Sequence, residues 1–140
     1  MLIRQLKKED APQVAPLIKQ LTQNVIELEN LTRRLEALSA PQNFQYLAAE
    51  IEGVIVGFAG LAWYPIPSKG AVGWVEEVVV AEKHRGQGIA QALMAELLKL
   101  AEAKNLKQVK LTTANPVARR LYEKLGFVKK EEDLLVKKYY

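Results

Sequence analysis

The stretch running from Val78-Val79-Val80 into Arg85-Gly86-Gln87-Gly88-Ile89-Ala90 leaves few folds open to this chain. Three consecutive β-branched valines are the pattern of a strand covered on both faces. From Ile89 the apolar residues fall at Leu93, Leu97 and Leu100, with Ala90, Met94 and Ala101 beside them, which is helical spacing. The chain therefore passes from a buried strand into a helix through a turn of two glycines and an arginine. Glycine lets a backbone approach a ligand closely. The first amides of a helix lack intrahelical partners, and the helix dipole favours negative charge there. Arg85 adds a forked cation. Such a turn is either a phosphate cradle or a tight connection that binds nothing.

Two other glycine-loop readings fail. A P-loop closes on Gly-Lys-Ser/Thr, whereas Gly88 is followed by Ile89. A dinucleotide fingerprint needs a third glycine, and position 91 is Gln; the acidic residue expected about 20 residues on is replaced by Lys107-Gln108-Val109-Lys110. The 140 residues suffice for a single core and are too few for two. With no cysteine there is no disulfide framework, thiolate metal site or thiol nucleophile. No spaced His/Cys cluster or acidic calcium loop is present, so no metal is expected. His84, the one histidine, has no serine on a nucleophile elbow to serve and reads as a solvated turn residue. No apolar stretch approaches a membrane span, and the first ten residues turn charged too early for a signal peptide, so a cytoplasmic protein is expected. The net charge of +4 suits a polyanionic ligand, but the basic residues are scattered and form no nucleic-acid arm.

The pattern Arg85-x-x-Gly88-x-Ala90 after a strand resembles the acetyl-CoA signature of the GNAT superfamily, the acyl-CoA-dependent N-acyltransferases. A second, independent stretch, Asn115-Pro116-Val117-Ala118-Arg119-Arg120-Leu121-Tyr122-Glu123-Lys124-Leu125-Gly126-Phe127, resembles the family's closing motif: Asn-x-x-Ala, a Leu/Phe-Tyr pair, then Gly-Phe. The resemblance covers residues 50–130 with specific residues and the first 50 by pattern alone. It implies a single α/β (α+β) domain, residues 1–140, built on a mixed, mostly antiparallel sheet of six to seven strands with helices on both faces.

Local signals fit that order. Residues 2–6 alternate as a first strand, and residues 8–21 form a helix with Pro12 in its first turn. A more polar helix covers 30–38, ended by Ser39-Ala40-Pro41. Strands at 44–51 and 54–63 flank a Glu52-Gly53 hairpin turn, and 64–70 is a loop. The central strand covers about 72–81, the long helix ends near Lys104, and a strand follows at 107–113. Asn115 caps the next helix, with Pro116 at its first position and Gly126 past its end. A closing hairpin is expected at 127–130 and 134–139.

The chemistry such a chain would perform sets further expectations. An amine of pKa near 10.4 is about 0.1% neutral or less at pH 7, and only that form attacks, so a proton acceptor is needed. Glu76 and Glu77 precede the valines; strand alternation puts one of them on the face of Val78 and Val80 unless a bulge intervenes. Equally, both can sit at a wet strand end and only solubilise it. The resemblance points to Glu76, four residues before Val80. It also implies that a main-chain amide at Val78 meets the thioester oxyanion and that Val78, Val79 and Val80 run beside the pantetheine arm. Arg85, Gly86, Gln87, Gly88, Ile89 and Ala90 would hold the phosphates, with Asn115, Ala118 and Tyr122 along the arm. Tyr122 follows Ala118 by four residues on one helix face. Periodicity alone makes it core filler, whereas the family motif makes it the group that meets the departing thiolate. Lys124 reads as solvated, or as a residue reaching the phosphates.

The partners implied are acetyl-CoA and an amine acceptor, with neither nucleic acid nor membrane, and a homodimer is left open. Lacking cysteine, transfer would be direct. The acceptor itself is not legible: Trp63, Tyr64 and Tyr46 would wall an apolar pocket, and Glu27 and Glu29 would attract a cation, or all five are packing and solvated surface. A non-catalytic acyl-CoA-binding regulatory or interaction module is the alternative. It would need Arg85, Gly88 and Asn115 but neither glutamate nor Tyr122.

Overall fold

The computed structural model describes residues 1–39 and 43–139. One sheet carries the strands in the order β1 (Leu2–Gln5), β2 (Phe44–Ile51), β3 (Val54–Ile66), β4 (Gly70–Val80) and β5 (Val109–Lys110). The first three pairings are antiparallel and β4 to β5 is parallel. Helices α1 (Ala11–Thr22) and α2 (Leu28–Ala37) precede β2; α3 (Ile89–Ala103) and α4 (Pro116–Lys124) flank β5 in the chain.

The sheet separates two cores, so the expected layering of helices on both faces is what forms. On one face Val14, Leu17 and Ile18 of α1 and Leu31 and Leu35 of α2 pack on Ala48, Ile55, Phe58 and Val79. On the other, Ile89, Leu93, Met94 and Leu97 of α3 and Tyr122 of α4 pack on Leu47, Ala59, Leu61 and Val75. The hairpin between β2 and β3 turns at Glu52 (φ 49°) and Gly53 (φ 79°), two left-handed residues that match the twist of the strands. Arg4 ties β1 to the start of α1, donating to both Asp10 carboxylate oxygens at 2.8 Å, and reaches Glu50 at 3.0 Å. Burial alone would raise the Asp10 pKa, but Arg4 and the Lys7 amide hold it below the usual carboxylate range.

Three expectations are corrected. The loop of 64–70 is instead the end of a hairpin: β3 continues through Tyr64, Pro65 and Ile66, paired with Val72, Ala71 and Gly70. Trp63 and Tyr64 then alternate to opposite faces. Trp63 packs on the α3 core with Lys104 over its ring, while the Tyr64 hydroxyl accepts from Trp74 Nε1 at 3.0 Å. They do not wall one pocket. The strand of 107–113 stops short: Lys107 N–H bonds the Ala71 carbonyl and Gly73 N–H the Gln108 carbonyl, Val109 and Lys110 pair as β5, and beyond Trp74 the two strands diverge. The closing hairpin does not form among the described residues, which leaves five strands rather than six or seven. Among the described residues, 128–136 join no strand of the sheet; Val128 is 83% exposed and Leu135 89%. Ala40 and Pro41, expected to end α2, lie outside the described residues.

Backbone without ladder bonds or burial opens first. Trypsin under native conditions should therefore cut first after Lys129 or Lys130. Mass analysis that instead found the earliest cuts inside residues 1–126 would contradict this placement of the tail.

Candidate active site

The divergence of β4 from β5 opens a cavity of about 1120 Å³. One wall is Val78, Val79, Val80, Arg85, Gly86, Gly88, Ile89 and Ala90; the other is Leu111 to Ala114, then Asn115, Ala118 and Tyr122. The two sequence motifs, about 30 residues apart in the chain, thus face each other across one space. Of the residues expected at the cofactor, only Gln87 is absent from this wall. Residues 111–113, read as strand, supply wall instead, together with Ala114. Gln20 and Leu21 of α1 also reach it, which no sequence signal announced.

The glycine turn has the conformation that its sequence demands. Gly86 (φ 79°) and Gly88 (φ 80°) are left-handed, and a Cβ at either would meet open space. Gly88 caps α3, and its carbonyl accepts the first helical bond from Ala92 at 3.0 Å. The amides of Ile89, Ala90 and Gln91 are therefore the unpaired helix-terminal donors. Arg85 Nε donates to the Val80 carbonyl at 3.3 Å, holding the guanidinium at the mouth.

In β4 the register slips: Gly60 faces Glu76, Phe58 faces Val79, and Ala59 is left opposite both Glu77 and Val78. This is a β-bulge with Glu77 in the left-handed region at φ 47°. The extra residue reverses the alternation. Val75 packs in the α3 core and Val79 in the α1 core, although they are four apart and would share a face in a regular strand. Both glutamates consequently lie on the α1/α2 side, and neither shares the face of Val78 and Val80. Ala81 N–H donates to Val56 of β3 at 2.7 Å, so alternation turns the Val80 and Val78 amides toward the open edge.

Glu77 occupies the junction of two spaces. It lines the large cavity and also a pocket of about 210 Å³ between α1, α2 and the sheet, whereas Glu76 lines neither. Burial raises the Glu77 pKa, the neighbouring Glu76 raises it further, and Arg34 opposes both. Tyr46 crosses this pocket over Gly60, where a Cβ would come within 2.5 Å of its ring. Burial, then the charges of Glu77 and Glu76, push the Tyr46 phenol up to about 12.

On the opposite wall Asn115 Oδ1 accepts from the Val117 amide at 2.8 Å and the Ala118 amide at 3.3 Å, so its capping role is realised. The end of α4 fixes Tyr122. Phe127 N–H returns to the Tyr122 carbonyl at 3.0 Å and Gly126 N–H to Glu123 at 3.1 Å, with Gly126 at φ 96°. The Phe127 ring meets Tyr122 edge-on at 6.0 Å. This is the glycine-dependent C-cap with its hydrophobic contact. Tyr122 is 8% exposed, burial raises its pKa, and no described residue hydrogen-bonds its hydroxyl at the cavity wall. Periodicity and motif are thus both satisfied: the ring is core and the hydroxyl reaches the cavity. Lys124 is exposed and lines no part of it. His84 departs from expectation: the 3-10 turn Glu82–His84 half-buries it in the cavity wall, leaving Nδ1 buried without a partner among the described residues. Among those residues no acidic, His or Cys group is placed to hold a metal, and no helix is long and apolar enough to cross a membrane.

A glucosamine 6-phosphate N-acetyltransferase of Trypanosoma brucei brucei is 39% identical over 77 residues, 54% of this chain and 52% of that protein. The chain spans about half the length of the curated relatives it matches. A crystal structure of a Trypanosoma brucei acetyltransferase superposes with a TM-score of 0.83 at 27% identity, covering 97% of this chain and 98% of that one. An aminoglycoside N-acetyltransferase in complex with CoA shares the fold, with a TM-score of 0.82 at 22% identity over 98% and 93% of the two chains. The family model of the GNAT acetyltransferases matches residues 9–127, and the chain belongs to that family.

Proposed function

We propose that residues 1–140 act as one N-acetyltransferase domain that moves an acetyl group from acetyl-CoA directly to a primary amine. The observation that carries this is the continuity of the site. One cavity runs from unpaired helix amides, past an open strand edge, to a buried phenol, with a carboxylate of raised pKa where it meets a second pocket.

The amides of Ile89, Ala90 and Gln91, with Arg85, fit the pyrophosphate of CoA by charge and by open space at Gly86 and Gly88. The outward amides of Val78 and Val80 would pair with the pantetheine arm as with an added strand. The Val78 amide, fixed by the bulge, is the donor for the oxyanion that develops on the thioester carbonyl. Tyr122 supplies the proton for the departing thiolate; its raised pKa keeps the phenol protonated at working pH. Asn115 positions α4 through its cap and needs no contact with substrate to do so.

Glu77, rather than Glu76, is assigned as proton acceptor, because it alone of the pair reaches both spaces. Desolvation makes its carboxylate a stronger base. The sign of the pH effect follows: a carboxylate whose pKa is raised loses its charge at a higher pH on acidification, so activity should fall as pH drops through a value above the ordinary 4.3 or so. Glu77→Gln should lower kcat/KM on the order of 10²-fold near neutrality, narrowing at high pH where the amine is already neutral. Glu76→Gln should change it by about threefold or less. Thiol release from acetyl-CoA across pH measures all three proteins. A Glu77→Gln profile that overlies the parent's would remove the assignment.

A further inference from the structure

The pocket on the far side of Glu77 is built for a particular kind of amine, and this inference rests on the transferase reading above. Its walls are aliphatic and aromatic, with Val14, Ile18, Leu31, Leu35 and Phe58 among them. Among the described residues three polar side chains reach it: Tyr46, Glu77 and Arg34. At about 210 Å³ it holds the share of roughly seven waters, enough for the body of one small molecule. Arg34 stands close enough for its charge to act on Glu77, yet the two stop short of an ion pair, and among the described residues Arg34 makes no salt bridge. Glu76 adds a second negative charge beside Tyr46.

We propose that the acceptor is a small zwitterionic amine of the chemistry of an aliphatic α-amino acid. Its ammonium lies at Glu77, its carboxylate at Arg34 and its aliphatic side chain between α1, α2 and the sheet. Polar specificity requires polar partners, since an unpaired hydroxyl or charge in an apolar wall is penalised. A sugar phosphate would bring several hydroxyls to walls that offer three polar side chains. A polyamine would place its second cation against Arg34 or against leucines. An aliphatic amino acid leaves neither kind of group unpaired. The reaction balances with nothing further: one ammonium proton leaves through Glu77 to solvent, the neutral amine nitrogen bonds the acetyl carbon as the thioester C–S bond breaks, the thiolate takes the Tyr122 proton, and the second proton shed by the acylated nitrogen restores the phenol.

The test uses the whole chain, acetyl-CoA and five acceptors: leucine, isopentylamine (leucine without its carboxylate), spermidine, glucosamine 6-phosphate and the peptide Leu-Gly-Gly. Leucine should give the highest kcat/KM, about 10-fold or more above spermidine and glucosamine 6-phosphate. Arg34 is exposed, so Arg34→Ala should fold; it should raise the KM for leucine on the order of 10-fold more than that for isopentylamine, the size of one charge-assisted hydrogen bond, since any effect through Glu77 is common to both amines. Preference for spermidine, the sugar phosphate or the peptide overturns this inference while leaving the transferase standing. So does an Arg34→Ala effect equal for leucine and isopentylamine. Thiol release with none of the five, while acetyl-CoA still raises the melting temperature, overturns the transferase reading and this inference with it.

Discussion

Gly88→Glu should abolish acetyl-CoA binding in a protein that still folds. In the parent, acetyl-CoA at about 100 times its Kd should stabilise by about 2.7 kcal/mol, because only the folded state binds it, and should raise Tm by roughly 8 °C. The substitution points a carboxylate into the space where the α3 amides, the helix dipole and Arg85 concentrate positive potential. It also forces a side chain onto φ 80°, which costs about 1–2 kcal/mol and lowers Tm by itself. Gly88→Asn separates the two effects. Asparagine tolerates the left-handed region and carries no charge, and a Cβ here meets nothing within 4 Å. It should therefore retain part of the ligand-induced shift, whereas Gly88→Glu retains none. A folded Gly88→Glu protein with the parent's shift would mean that the anion does not sit on this helix.

Much of this site can be read from the chain because its parts are local. A glycine turn between a buried strand and an amphipathic helix specifies its own geometry: Gly86 and Gly88 take the positive φ that only their sequence permits cheaply, and Ile89 begins α3. Asn115-Pro116 at one end of α4 and Gly126-Phe127 at the other do the same for Tyr122. What could not be read depends on partners distant in sequence. The bulge at Glu77 exists only relative to Ala59 on β3, and it moves both glutamates to one face. Regular alternation had one of them beside Val78. Pro65 and Pro67 signal a loop, yet pairing with residues 70 to 72 holds Tyr64, Pro65 and Ile66 in β3. Residues 127–139 read as a closing hairpin, but β5 pairs at only two positions and, among the described residues, 128–136 join no strand of the sheet. Arg34 shows the same limit from another side. On a polar helix it looks like any solvated cation, and its bearing on Glu77 emerges only when α2 packs across the sheet through Leu31 and Leu35.

Tyr122→Phe separates an enzyme from a protein that merely binds acyl-CoA. The ring stays, and with it the edge-on contact to Phe127 and the packing against the α3 core, so Tm and acetyl-CoA affinity should be close to the parent's. No described residue accepts a hydrogen bond from the hydroxyl, so its removal orphans no buried group. Turnover should nonetheless fall on the order of 10²-fold, about 2.7 kcal/mol of barrier, if the phenol protonates the departing thiolate. Because burial raises this phenol's pKa, the parent's alkaline loss of kcat should lie above the ordinary phenol value near 10, and Tyr122→Phe should lack that limb. A binding module would show neither change, having no turnover for the hydroxyl to assist. Turnover within about twofold of the parent's, with the alkaline limb intact, would take Tyr122 out of the chemistry and leave its packing as its only role.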